Sequence, residues 1–152
     1  ATDEPARYDE AMATTAVTLH ARGSFRTEVI AGPHRFLLDE PVDAGGEGAG
    51  PTPYDMLAAA LGGWTAMTLH YYAKRETLPL EGVDITVTHD RQHAKDCADC
   101  MTQSGYIHRF KLDIELQGPL TDAQRATLMD VAQRCPVKKT LGSEIKIDVV
   151  DV

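Results

Sequence analysis

The sequence predicts an α+β domain built around one long, buried helix. Three observations lead there. Short segments with period-two alternation lie on both sides of a stretch, residues 53–75, whose apolar residues follow helical spacing. A second helical segment, near residues 122–134, opens on a capping signature. The order is strands, long helix, two strands, helix, strand, so the elements are grouped rather than strictly alternating, as in α+β domains. With 152 residues, 43% of them hydrophobic and 25% charged, the chain can bury a core without disulfide staples.

Residues 1–13 are read as a flexible arm and residues 14–152 as a single domain. Residues 14–21 alternate, with Ala16, Val17 and Leu19 among polar neighbours, and are expected to form a strand. Residues 25–31 and 34–38 form a hairpin around Gly32-Pro33, a strong turn pair. Residues 39–50 are acidic and carry Gly45, Gly46, Gly48 and Gly50, which reads as a mobile loop. The long helix follows. Thr52 suits its cap, Pro53 its first turn, and Asp55 completes a box-like pair. Leu57, Leu61, Trp64, Thr68 and Tyr71 fall along one face. Gly62-Gly63 costs about 1 kcal/mol per glycine relative to alanine, which points to close approach of another helix or a sheet.

Val83, Ile85 and Val87 alternate in a strand over residues 83–89. Residues 106–116 alternate from Tyr106 to Leu116, with Ile107 the one apolar residue on the polar side. Thr121-Asp122-Ala123-Gln124 opens the second helix, with Leu128, Val131, Ala132 and Cys135 on its inward face. Pro136 stops it, a short helical turn reaches Leu141, and residues 144–150 alternate again as a last strand.

Lys and Arg number 15 against 23 Asp and Glu, a net charge of −8, which repels phosphate backbones and argues against nucleic acid as a partner. The apolar run 56–67 is too short to span a bilayer, and the acidic first 15 residues do not read as a secretory signal. Three cysteines, two of them three residues apart, suit a reducing cytoplasm with redox or metal chemistry better than a secreted disulfide framework.

Residues 50–69, GPTPYDMLAAALGGWTAMTL, resemble the central helix of the OsmC/Ohr family, whose members read like G-P-S-P-Y-E-L-L-x-A-A-L-G-A-C-T-A-M-T. Residues 134–141, Arg-Cys-Pro-Val-Lys-Lys-Thr-Leu, resemble the family's second cysteine site. The resemblance implies antiparallel sheets packed around a long buried central helix and a second helix, in an intertwined homodimer. It also implies a thiol peroxidase: a cysteine on the central helix attacks the peroxide and becomes a sulfenic acid. The second cysteine then closes a disulfide that a small thiol or dithiol reduces. An arginine lowers the first thiol's pKa, and in the peroxidase branches a glutamate ten residues earlier holds that arginine.

Position by position, Trp64 takes the place of the attacking cysteine, Tyr54 that of the glutamate, and Cys135 that of the second cysteine. Arg22 and Arg26 are equal candidates for the arginine. An indole cannot attack a peroxide, and losing a nucleophile costs several orders of magnitude in rate. A Trp ring buries about 150–250 Å² and would fill much of an organic peroxide's pocket. Read without the family, Trp64 is a core or interface aromatic, and Cys135 is either a small buried hydrophobe or a thiolate near Lys138 and Lys139.

His89, His93, Cys97 and Cys100 make an H-x3-H-x3-C-x2-C array. Two imidazoles and two thiolates suit tetrahedral zinc, whereas the C-x-x-C alone suits a disulfide or free thiols. The segment H-A-x-D-C-x-x-C also resembles one OsmC-like branch. No cofactor other than this zinc is expected. His20, His34, His70 and His108 show no partner pattern. Three functions remain open: a member of the hydroperoxide-reductase family with impaired or absent activity, a non-catalytic dimer that binds a small apolar molecule, and a zinc or redox module at Cys97 and Cys100.

Overall fold

In the computed structural model, which describes residues 15–151, the elements follow the order β1 (Thr18–Ala21), β2 (Thr27–Ala31), β3 (His34–Leu38), α1 (Pro53–Arg75), β4 (Gly82–His93), β5 (Tyr106–Gln117), α2 (Asp122–Gln133) and α3 (Pro136–Leu141). The arm expected over residues 1–13 lies outside the described residues. The chain divides into two compact units, one up to Pro53 and one from Tyr54 onward.

The first unit is a three-stranded antiparallel meander, β1-β2-β3. Its centre is Val29, buried on β2 and paired with Leu19 on one side and Phe36 on the other. The β2–β3 turn places Gly32 at φ 59°, which explains a glycine there. Residues 39–50 are not the loose loop that their glycines suggested. The Asp39 carboxylate, 2% exposed, gathers the segment by accepting backbone N–H groups of Glu40 (2.9 Å), Glu47 (3.0 Å) and Ala49 (3.0 Å). A Cβ at Gly46 would lie 1.9 Å from the Glu40 carbonyl oxygen, so the folded-back backbone itself requires glycine.

The second unit packs α1, the β4–β5 ribbon and α2 around Leu69, Ala73, Leu116, Leu128, Val131 and Ala132. β4 and β5 pair antiparallel throughout, and Val83↔Leu116, Ile85↔Ile114 and Val87↔Leu112 share one face. Helix α1 lies close to that face, since a Cβ at Gly62 would stand 2.8 Å from Val87 Cγ2. The close approach expected from Gly62-Gly63 is therefore helix against strand. The Thr121–Gln124 capping box is present, with Gln124 N donating to Thr121 Oγ1 and Thr121 N donating to Gln124 Oε1.

Two expectations are corrected. The buried stripe of α1 is Leu61, Thr65, Leu69 and Ala73 together with Gly62, not the Leu57–Trp64–Tyr71 face. Leu57 is 43% exposed and Tyr71 52%, because the ribbon and α2 cover only one side of the helix. Residues 144–150 are not a strand: the alternation of Ile145, Ile147 and Val149 is real, but these side chains are exposed and no strand among the described residues pairs with the segment. No helix among the described residues is long and apolar enough to cross a membrane.

Candidate functional site

Helix α1 carries two of the positions marked by the family resemblance. Trp64 sits mid-helix and is half-buried, with its carbonyl accepting the Thr68 hydroxyl at 2.8 Å. Tyr54 lies nearly three turns earlier, about 15 Å along the axis. Its ring stacks on the imidazoles of His89 (4.6 Å between centroids) and His108 (5.6 Å). A flat phenol in an aromatic stack cannot do what a carboxylate does for an arginine. An open groove of about 310 Å³ runs between α1 and β4, past Asp55, Ala59, Gly62, Gly63, Ile85 and Val87, and Trp64 is not part of its lining.

Arg22 and Arg26 lie in the first unit. Arg26 faces Glu47 at 3.9 Å with both side chains more than half exposed, so it already has an acidic neighbour. Its charge also helps hold the Asp39 carboxyl below the usual carboxylate range, behind the larger effect of the Ala49 N–H bond and those of Glu40 and Glu47; burial opposes them.

Cys135 is the free cysteine and is fully buried, at the residue preceding α3. Its carbonyl accepts Lys139 N at 3.1 Å, while Lys138 Nζ reaches Gln133 Oε1 instead of turning to the sulfur. A buried sulfur meets neither a peroxide nor a reductant without local opening, so the surroundings fit the apolar reading of this cysteine.

The zinc set His89, His93, Cys97 and Cys100 is not assembled. Residues four apart on a strand are separated by about 13 Å, too far to share an ion. His89 Nε2 meets His108 Nδ1 at 2.9 Å, and His93 packs on Tyr106 at 4.3 Å. Cys97 and Cys100 form a disulfide, and the one group of metal-ligating type among the described residues is Cys97, Asp99 and Cys100. Arg109 Nη2 stands 3.9 Å from Cys97 Sγ and from Asp99 Oδ1.

The His89–His108 pair is not legible in the sequence, where His89 falls into the array with His93, Cys97 and Cys100 and His108 shows no partner pattern. The register supplies the signal: His89 pairs with Phe110 and Arg91 with His108, so all four side chains share a face. Asp99 and Arg109 were likewise unmarked, since only the hairpin brings β5 to the cysteines.

Comparison with known families shows a match to the OsmC-like protein family over residues 45–150. Similar solved structures include one of an osmotic stress induced and detoxification response protein of Psychrobacter arcticus, at 25% identity with a TM-score of 0.63, covering 88% of this chain and 90% of that one. Another is the organic hydroperoxide resistance protein OsmC of Legionella pneumophila, at 22% identity and 0.64, covering 86% and 90%. A third is an OsmC like protein of Mycoplasma pneumoniae, at 19% and 0.70, covering 87% and 89%. No match is found among the curated proteins. The antiparallel sheets, the long helix and the shorter second helix are those of this fold, and the chain belongs to the OsmC family.

Proposed function

We propose that this chain is a hydroperoxide-resistance relative that has lost thiol-peroxidase turnover. The observation that carries the reading is that no cysteine is both free and accessible: Trp64 stands at the attacking position, Cys135 is fully buried, and Cys97 is bonded to Cys100. Tyr54 in place of the glutamate removes the group that would orient an arginine, be it Arg22 or Arg26. Residues 14–152 are taken as one cytoplasmic domain working as a homodimer. The dimer is supported by apolar side chains left exposed on α1, Leu57, Met67 and Tyr71, and by the bare Ile147 and Val149 of the C-terminal segment.

The same exposed side chains favour a second reading, a non-catalytic dimer that holds a small apolar molecule beside Trp64. An organic hydroperoxide resistance protein of Vibrio cholerae, 20% identical, has captopril bound in one of its active sites.

A peroxide-consumption assay with a dithiol reductant tests the proposal. The chain as it stands should turn over organic hydroperoxide negligibly, and Trp64→Cys should gain activity. Robust turnover by the unaltered chain, abolished in Cys135→Ser, would overturn it.

A further inference from the structure

Peroxide chemistry at α1 gives no task to the two sulfurs at the β4–β5 tip. Residues 94–105 connect the strands, anchored by buried Ala94, whose N–H bonds the Gly105 carbonyl at 2.9 Å and whose carbonyl accepts Cys97 N at 3.1 Å. The disulfide closes a ring of four residues, the size for which loop-closure entropy stabilises a fold least. Stapling is therefore a weak reason for it, and a disulfide in a reducing compartment is more often a working one.

Its setting is asymmetric. Cys97 Sγ lies 3.3 Å from Asp99 Oδ1 and 3.9 Å from Arg109 Nη2. Arg109 belongs to β5, paired with Asp90, so the strand and not the tip fixes the cation. The Asp99 and Arg109 side chains are 88% and 56% exposed, which leaves the approach open to a partner from solvent. In thiol–disulfide exchange a thiolate attacks one sulfur and the other departs as a thiolate, faster when the departing charge is stabilised. The Arg109 guanidinium favours charge on Cys97 and the nearer Asp99 carboxylate opposes it. Asp99, at 88% exposure against 56%, is the more screened by water, which makes Cys97 the better leaving group.

We propose that Cys97–Cys100 is a thiol–disulfide exchange centre that accepts electrons from a dithiol, attacked at Cys100 with Cys97 as the leaving sulfur. The first thiolate of the dithiol bonds Cys100 Sγ, the Cys97–Cys100 bond breaks, and Cys97 leaves as a thiolate beside Arg109 and takes up the proton lost by the attacking thiol. The second thiol of the partner then attacks its own sulfur in the mixed disulfide and releases Cys100, which takes up that thiol's proton. The dithiol is oxidised by two electrons and ends as a disulfide; the protein gains two thiols. Reduced Cys97 is placed to donate its S–H to Asp99. The same carboxylate opposes the leaving thiolate, so Arg109 and Asp99 act in opposite senses on the rate.

The test uses the full chain, first oxidised with oxidised glutathione, then mixed with dithiothreitol, quenched with an alkylating agent and mapped by mass spectrometry. Cys97 and Cys100 should become alkylated together in the folded protein at a rate proportional to dithiol. Arg109→Gln should slow this by about threefold, because the departing thiolate loses its cation, and Asp99→Asn should quicken it by a similar factor. Glutathione alone should leave its adduct on Cys100. A bond that opens only in denaturant, an adduct on Cys97, or both substitutions shifting the rate in the same direction would each overturn the assignment.

Discussion

Gly62 lies against Val87 with no room for a methyl group: a Cβ built on the glycine would stand 2.8 Å from Val87 Cγ2. Val87 is β-branched and stiff, so it cannot swing aside. Gly62→Ala should therefore destabilise the chain by about 1–3 kcal/mol, as overpacking does. Its neighbour Gly63 has nothing within 4 Å of the same built atom, and Gly63→Ala should stabilise by up to about 1 kcal/mol through helix propensity. Denaturant unfolding of the two variants checks both signs, and equal effects would mean that the helix stands farther from β4.

The helix ends on a residue of the wrong kind. Thr77 takes φ 54° just beyond α1, while Leu78 N reaches back to the Ala73 carbonyl at 2.8 Å and closes the last turn. That conformation suits glycine. Thr77→Gly should raise stability by about 0.5–1 kcal/mol, readable as a higher urea midpoint with an unchanged slope.

Asp39 ties the first unit to pH. Its folded carboxyl titrates lower than in the unfolded chain, so the stability it confers is complete above the unfolded value, about 3.9, and is lost as pH falls through the lower folded value. The stability gap between the parent chain and Asp39→Asn should stay constant near neutrality and narrow only in acid below about pH 4. A gap that closed between neutral pH and about 5 would contradict this assignment.

Cys135 should behave as core. Alkylating reagents should modify it only as fast as local opening exposes it, so the rate should saturate with reagent and rise with mild denaturant. Cys135→Ser should cost about 1–3 kcal/mol, because a hydroxyl replaces sulfur in an apolar site.

Most of the fold could be read from the sequence where local pattern and local chemistry coincide. The capping box at Thr121, the turn at Gly32 and the alternation of β4 and β5 each lie within a few residues, and each stands as expected. Patterns that need a distant partner were less legible. Period two in residues 144–150 says which side chains could share a face, not that an edge is available to pair with them. The helical spacing of Leu57, Trp64 and Tyr71 marked an apolar stripe without saying which stripe the ribbon would cover. In the candidate site, Trp64 and the C-x-x-C were visible as residue types. The Arg109 guanidinium beside Cys97 and the union of His89 with His108 depend on strand register, which no single segment encodes.

The turn gathered by Asp39 is held through main-chain N–H groups, not through the side chains of the residues it collects. Shape and display are thereby separated. Glu40, Asp43 and Glu47 can be exchanged for other polar residues with little effect on the path of the chain, whereas the Asp39 carboxylate and the glycines Gly46 and Gly50, where a Cβ would run into backbone, cannot. The segment is a mount whose outward chemistry can be rewritten while its frame stays put.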